Sequence, residues 1–301
     1  MANFLLIGIC ILAGLLVRKF TKIPADGYKG VNALIINLAL PAVSFKYLPH
    51  IHWTRELILP VLMPVIVWIC GWLYVSMYAK KAHLDKQTEN GLKLVTGLSN
   101  TSFVGFPLII AYFNENALGI AVICDQVTFM LLATAGIVVA MNASETHTLS
   151  LSTVAKKVFS FPPFIACVAA LVLPLFFDIS PLHPLFDKLA ATVAPLALFS
   201  IGLQLRFDGW RQEVKHLSAA LLYKLILAPA IIYTIVYISH MKGIIPQISI
   251  FEASMPSFLT AGIVASEYNL NPKLSSLVVG VGILLSFFTT AIWYFMISAL
   301  S

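Results

Sequence analysis

Charged residues are scarce in this chain of 301 residues. Asp, Glu, Lys and Arg make up 11% of it and hydrophobic residues 59%, whereas an ordinary soluble domain is about 25% charged. A soluble core of this length would not need so much apolar surface, so the composition predicts a membrane protein. The net charge of +6 is weak evidence for a nucleic-acid partner, since no basic run with interleaved aromatic residues accompanies it.

Cysteine and histidine are also sparse, and their placement gives little support for a metal centre. The cysteines all fall inside apolar segments, where small packing residues are expected, and no CxxC or Cys/His spacing occurs; they are Cys10, Cys70, Cys124 and Cys167. His50 and His52 could in principle hold a metal. We favour a solvated pair of loop side chains.

Long apolar segments recur along the whole chain. A helix needs about 20 apolar residues to cross about 30 Å of hydrocarbon. Ten segments meet this requirement, at 3–19, 30–49, 57–78, 94–113, 118–140, 159–177, 184–205, 217–239, 245–266 and 275–299. The predicted fold is therefore an all-α membrane protein with ten transmembrane helices.

Lysine and arginine are distributed unequally between the loops that join these segments. The even-numbered loops hold only Lys46, Arg55, Lys188 and Lys242. Apart from Lys224, which lies inside the eighth segment, all the others lie in odd-numbered loops. The positive-inside rule then places the odd loops in the cytoplasm and both termini outside the plasma membrane, which for a bacterial chain is the inner membrane.

Two of the apolar segments contain a proline beside polar residues. The fourth reads Gly97-Leu-Ser-Asn-Thr-Ser-Phe-Val-Gly-Phe-Pro107, and the ninth reads Ile248-Ser-Ile-Phe-Glu-Ala-Ser-Met-Pro256. Because proline cannot donate the hydrogen bond that continues a helix, breaks are predicted at Pro107 and Pro256. Paired interruptions at membrane depth are the sequence pattern of a transporter binding site.

The two halves of the chain resemble an internal repeat. The stretch Asn37-Leu-Ala-Leu-Pro-Ala-Val-Ser-Phe45 matches Ala191-Thr-Val-Ala-Pro-Leu-Ala-Leu-Phe199, with proline and phenylalanine in register. Because each copy holds an odd number of helices, the second must enter the membrane from the opposite side. The predicted organisation is a first five-helix repeat at 1–140, a cytoplasmic linker at 141–158 and a second five-helix repeat at 159–301.

The motifs together resemble the auxin efflux carrier family, in particular its bacterial members. They are the Leu-Pro of the second segment, the Asn-Thr-Ser-Phe-x-Gly-Phe-Pro of the fourth and the Met-Pro of the ninth, and the resemblance covers essentially the whole chain. It implies the fold of the bile acid:sodium symporters. In that fold, panel helices (here 3–49 and 159–205) form a scaffold, core helices (here 57–140 and 217–299) move, and broken helices 4 and 9 cross at the midplane.

The same resemblance implies where a substrate binds. Asn100 resembles the crossover asparagine that contacts an anionic substrate, and the helix start beyond the break would offer free N–H groups to a carboxylate. The substrate-binding residues expected on this basis are Ser44, Asn100, Thr101, Ser102, Gln204 and Ser254. For Ser99 and Ser102, a hydrogen bond to a neighbouring helix is an equal alternative.

Three ionisable residues lie inside the segments, namely Asp125, Lys224 and Glu252. A charge at the centre of a spanning helix costs about 2.5–3.5 kcal/mol on insertion scales, so each should be paired, protonated or exposed to water. Glu252 resembles the sodium-binding glutamate of the symporters, although the glutamine and asparagine that follow it there are absent. Asp125 is equally well explained as an interfacial acid or a partner of Lys224, which we interpret as reaching the cytoplasmic surface.

The expected cation-coupling residues are Ser99, Asn100, Asp125, Thr128 and Glu252, with sodium or a proton as the ion. One departure from the family bears on the substrate: plant auxin carriers place a charged pair in the third helix, whereas Ile58 to Tyr78 hold no charge. The hypothesis is therefore a secondary transporter of small organic anions, mono- or dicarboxylates, and not an enzyme. A uniporter or channel, a sensor, and an intramembrane enzyme are the alternatives, and a homodimer through the panel helices stays open.

Overall fold

The computed structural model describes residues 2–20, 24, 26–51, 54–143, 159–205 and 210–299. Residues 144–158 of the predicted linker lie outside these ranges, as do His52 and the C-terminal Ser301. Within the described ranges the chain is helical and forms no strand beyond one isolated bridge. The chain is therefore all-α, as the sequence predicted.

The α-helices follow one another with short connections. They are Ala2–Phe20, Tyr28–Leu34, Leu40–Tyr47, Ile58–Ala82, Lys86–Gly97, Phe106–Tyr112, Leu118–Leu131, Ile137–Ala143, Pro162–Val172, His183–Ala190, Val193–Gln204, Trp210–Leu222, Ala228–Ile238, Ile244–Ala253, Leu259–Glu267 and Pro272–Ser298. Wider π-helical turns continue several of them, at Ile35–Ala39, Thr101–Gly105, Leu132–Gly136 and Tyr223–Leu227. Such turns shift the phase of a helix and occur frequently at functional sites.

Seven helical stretches of the described chain are long and apolar enough to cross a membrane. They are Ala2–Phe20, Tyr28–His50, Arg55–Ala82, Glu115–Asn142, Ser180–Gln204, Arg211–Ile238 and Pro272–Ser298. Three apolar helices are shorter, namely Thr101–Tyr112, Pro162–Leu175 and Ile244–Ala253. The prediction of a multi-pass membrane protein is confirmed at this level.

The chain divides into two compact units that interleave along the sequence. The first unit consists of Met1–Thr54, Ser102–Val122 and Val158–Leu205, and the second of Arg55–Thr101, Ile123–Lys157 and Arg206–Ser301. The predicted panel helices fall in the first unit. The predicted core segment 57–140 is divided, because residues 102–122 belong to the first unit.

In the first unit, the helices Ala2–Phe20 and Val193–Gln204 pack through glycine. A Cβ atom on Gly14 would collide with the carbonyl oxygen of Phe199, and one on Gly202 with that of Ile11. The guanidinium of Arg18 donates to the carbonyl of Leu205, just beyond the end of the second helix. Small residues let two apolar helices approach where lipid gives no hydrophobic drive for association.

In the second unit, the helix Lys86–Gly97 begins at a capping aspartate. The backbone N–H of Thr88 donates to Asp85 Oδ1 at 2.8 Å, and its hydroxyl donates to Oδ2 at 2.8 Å. Although partial burial acts to raise the pKa of Asp85, these hydrogen bonds prevail and lower it. Asn271, which caps Pro272–Ser298, donates to Thr88 Oγ1 at 3.0 Å, so the starts of two helices are joined.

Candidate functional site

Two interrupted helices meet in the second unit. The first stops at Gly97 and resumes at Thr101, and the second stops at Ala253 and resumes at Leu259. Between these ends, Ser99 and Ser257 form an antiparallel bridge. The N–H of Asn100 donates to the carbonyl of Pro256 at 2.8 Å, and the N–H of Phe258 donates to that of Leu98 at 2.9 Å. We call residues 98–100 and 256–258 the crossover.

The first interruption does not lie at Pro107, where the sequence analysis expected it. A π turn starts at Thr101 and leads into a helix that continues past Pro107 to Tyr112. The wide turn accommodates the missing N–H of the proline. The chain unwinds earlier, after Gly97, and the residues that follow pair with the second interruption instead of continuing the helix. Pro256, in contrast, lies within the second interruption.

The pairing at the crossover separates its side chains onto two faces. Residues directly opposite each other in an antiparallel pair project to the same face, so Ser99 and Ser257 are neighbours. Successive residues of an extended chain alternate between faces. Asn100 therefore projects to the face opposite Ser99.

Lys224 occupies the Ser99 face of the crossover. Its Nζ donates to Ser99 Oγ at 2.7 Å and to the carbonyl of Ala253 at 3.1 Å, and its side chain is completely buried. The prediction that Lys224 reaches the cytoplasmic surface is wrong. Sequence reasoning found a lysine inside an apolar segment but had no signal for the direction in which it points.

The backbone around Lys224 is fixed by its neighbours. The residue lies in the π turn Tyr223–Leu227. The hydroxyl of Tyr223 donates to the carbonyl of Val67 at 2.6 Å, and the indole N–H of Trp293 donates to the carbonyl of Leu225 at 2.9 Å. Because a π turn changes the helix phase and leaves a carbonyl without its usual helical donor, these contacts hold the turn that directs the lysine inward.

Two carboxyl groups are buried in the same unit as this lysine. Asp125 Oδ1 accepts a hydrogen bond from the Thr101 hydroxyl at 2.7 Å. Glu252, in the last turn of Ile244–Ala253, is completely buried. Neither of its carboxyl oxygens has a hydrogen-bond partner in the described part of the chain, although Asp125 and Lys224 are within electrostatic range. Burying an isolated carboxylate is very costly, so a proton, a bound cation or Lys224 must neutralise Glu252.

Two further oxygen acceptors are buried in the same unit. Ser257 Oγ and Gln126 Oε1 have no hydrogen-bond partner among the residues described. Thr128 and Ser254 differ from them, because each donates to a nearby carbonyl that precedes it in the chain, Cys124 at 2.8 Å and Phe251 at 2.6 Å respectively.

Most of the predicted site residues belong to the second unit, and these are all buried: Ser99, Asn100, Thr101, Asp125, Thr128, Glu252 and Ser254. Others belong to the first unit, namely Ser44, Ser102, Pro107 and Gln204. There, Gln204 Nε2 donates to Ser200 Oγ at 3.0 Å, and that hydroxyl donates to Asn32 Oδ1 at 2.5 Å. This polar chain had no counterpart in the sequence analysis.

The described residues contain no group of three or more His, Cys, Asp or Glu that could hold a metal ion. The ring centroid of His50 lies 5.5 Å from that of His183, whereas the suggested partner His52 lies outside the described ranges. The crossover, with its buried lysine and carboxyl groups, is therefore the candidate site.

Comparison with known proteins also indicates a membrane transporter. A family model described as "Membrane transport protein" matches residues 1–294. An uncharacterised transporter of Methanocaldococcus jannaschii is 25% identical over 299 residues, which cover 96% of each chain. A Rhizobium meliloti protein named "Putative malonate transporter" is 24% identical over 287 residues, 92% of this chain and 89% of its own. Auxin efflux carrier component 8 of Arabidopsis thaliana is 29% identical over 107 residues, 34% of this chain and 28% of its own.

Proposed function

We propose that this chain, which belongs to the membrane transport protein family that includes the auxin efflux carriers, is a secondary active transporter of small organic anions. The crossover carries the proposal. Two helices interrupted at the same place, with polar side chains and a buried ammonium group, provide a site that a spanning helix without a ligand would not need. The name of the Rhizobium relative refers to malonate, which supports mono- and dicarboxylates as the substrate class.

The proposed transmembrane arrangement has ten spans in two inverted repeats, 1–140 and 159–301. It is supported by the seven long apolar helices together with the three shorter ones, two of which, Thr101–Tyr112 and Ile244–Ala253, are halves of the interrupted helices. The unequal distribution of lysine and arginine places both termini outside the inner membrane and Lys80 to Lys93 in the cytoplasm.

We expect reporters fused to Ser301 to reveal an outside C-terminus. An export-dependent phosphatase should be active there, and a cytoplasm-dependent fluorescent protein should be dark. Fusions after Lys86 should give the reverse pattern and serve as the internal control. A fluorescent C-terminal fusion would rule out the ten-span arrangement.

The substrate is proposed to bind on the Asn100 face of the crossover, with Thr101 and Ser254 next to the crossover segments in the sequence. The N–H groups at the restart of the first interrupted helix and the ammonium group of Lys224 both favour a negative charge at the crossover. Alternating access would expose the crossover to one side of the membrane and then to the other. Auxin is a poor candidate, because Ile58–Ala82 has no charged residue before Lys80.

The proposed coupling group is Glu252. A buried carboxyl group that must be neutralised can bind a proton or a sodium ion, with Ser99, Asn100, Asp125 and Thr128 as the surrounding polar groups. Uptake of the ion would then be linked to uptake of the anion, since each stabilises the conformation that the other binds.

Flux in proteoliposomes tests the transporter proposal. The purified protein is reconstituted, and uptake of labelled malonate is measured beside a panel of mono- and dicarboxylates, with protein-free liposomes and a labelled organic cation as controls. We expect saturable uptake of carboxylates that accelerates when unlabelled anion is present on the opposite side. Flux that neither saturates nor shows counterflow would indicate a channel, binding without flux a sensor, and chemical conversion of the anion an enzyme.

A further inference from the structure

The crossover already contains a positive charge that belongs to the chain. We propose that Lys224 takes the place of a mobile alkali cation at the crossover, so that anion transport by this protein does not depend on sodium. The inference rests on the proposed function and narrows its coupling ion. It assigns Lys224 as a positioning residue that holds the two interrupted helices in their binding geometry.

The first argument concerns the oxygen atoms that a cation would need. Sodium and other hard cations are bound by carbonyl, hydroxyl and carboxylate oxygens, and a helix break supplies carbonyls. Here the carbonyl of Ala253, at the end of the second interrupted helix, accepts from Lys224 Nζ, as does Ser99 Oγ on the first. A single ammonium group thus joins both interruptions.

Two carbonyls of the crossover are engaged in the pairing of the two chains. Those of Leu98 and Pro256 accept the N–H groups of Phe258 and Asn100. The carbonyl of Glu252 accepts the N–H of Met255 at 3.2 Å. These four backbone oxygens, of Ala253, Leu98, Pro256 and Glu252, therefore accept from the lysine or from backbone N–H groups.

The second argument concerns charge. Desolvation of an ammonium group costs several kcal/mol, yet Lys224 is completely buried. The carboxyl groups of Glu252 and Asp125 lie on neighbouring helices, and Glu252 is within electrostatic range of both Asp125 and Lys224. The amino group of Lys224 thus lies within electrostatic range of the buried acid Glu252.

The third argument is that the lysine side chain, unlike a bound cation, cannot dissociate. A bound cation can leave, whereas Lys224 is attached to a π turn that the hydrogen bonds from Tyr223 and Trp293 hold in place. The side chain of Lys224 therefore occupies this position whether or not sodium is in the medium.

Sodium replacement tests this directly. In reconstituted wild-type protein, anion uptake with sodium replaced by N-methyl-D-glucamine at constant pH and ionic strength should stay within about twofold of the rate in sodium. In detergent, sodium should raise the midpoint of thermal unfolding no more than choline does, because a ligand that binds the folded state stabilises it. A sodium requirement for uptake, or a sodium-specific rise in the midpoint, would overturn the inference. Absence of uptake under every condition would instead overturn the proposed function, and the thermal measurement would still decide the question of sodium.

Chemical rescue tests the role of the ammonium group. Lys224→Ala should reduce uptake at least tenfold, and methylammonium or ethylammonium should restore part of it, because either can occupy the vacated space and donate to Ser99 and Ala253. Tetramethylammonium, which has no N–H donor, should not. Lys224→Met, which keeps the bulk of the stem, replaces the alanine variant if that one does not purify as a single folded species.

The control is Lys273→Ala, which removes an exposed lysine that donates to Gln212 Oε1 at 2.7 Å. It should transport at the wild-type rate and show no response to amines. Wild-type transport by folded Lys224→Ala or Lys224→Met, or a folded Lys224→Ala that no primary amine restores, would contradict the inference.

Discussion

Asn100→Ala is expected to weaken binding of the transported anion by one to two orders of magnitude. Asn100 is completely buried and lies on the crossover face opposite Lys224 and Ser99. Its amide would donate one or two hydrogen bonds to a charged group, each worth about 1.5–3 kcal/mol, and a tenfold change in affinity corresponds to about 1.4 kcal/mol. The alanine variant keeps the backbone N–H that donates to Pro256, so the crossover itself should persist.

Calorimetric titration of the purified protein with the anion found in the flux assay measures this effect. Thr96→Ala is a matched control, because it deletes a buried polar group of the helix that precedes the crossover, and its hydroxyl donates to the carbonyl of Leu92 at 2.7 Å. Asn100→Asp should bind still more weakly than Asn100→Ala, since it places a negative charge beside the anion. Unchanged affinity in folded Asn100→Ala would show that Asn100 only packs between helices and does not contact the anion.

Glu252→Gln is expected to abolish the ion dependence of transport while leaving a folded protein. The substitution keeps the shape of the side chain and removes its capacity to bind a proton or to carry a negative charge. If one proton enters with each anion, wild-type affinity should change by about tenfold per pH unit on the alkaline side of the transition. The variant should then show a flat profile. The charged groups that face Glu252 are Asp125 and Lys224, and both are unchanged in this variant.

Anion affinity and uptake should be measured against pH at fixed sodium and against sodium at fixed pH. Linkage requires that the anion raise the affinity for the ion by the same factor by which the ion raises the affinity for the anion. Glu267→Gln, at an exposed position in the other half of the second interrupted helix, is the control and should keep the wild-type profile. Full ion dependence of transport in Glu252→Gln would show that Glu252 is not the coupling group. Wild-type transport that responds to neither pH nor sodium would show the same.

Several residues that were expected from the sequence to contact substrate make other contacts in the structure. Ser44 and Gln204 were expected to contact substrate because they lie in the two repeat-related helices of the panel. In the structure Gln204 hydrogen-bonds to Ser200 of its own helix, and Ser44 donates to the carbonyl of Leu40 at 3.4 Å. Ser102 follows Thr101 directly yet belongs to the other compact unit.

The sequence by itself determined the membrane setting, the all-α fold and the two segments in which helices are interrupted. These depend on local properties, namely the number of consecutive apolar residues and the backbone chemistry of proline, glycine, serine and asparagine. It also identified Asn100 and Glu252 as candidate site residues, because a polar residue in an apolar segment is conspicuous whichever way its side chain points.

Only the tertiary structure decided that the two interruptions meet and that Lys224 joins them. The hydrogen bond from Lys224 to Ser99 connects residues 125 positions apart. Its formation depends on the rotation of one apolar helix about its axis. A helix that is apolar on every side carries no periodic pattern that fixes this rotation, and the π turn at Tyr223–Leu227 shifts the phase again. The direction of Lys224 is therefore a property of packing and not of the local sequence.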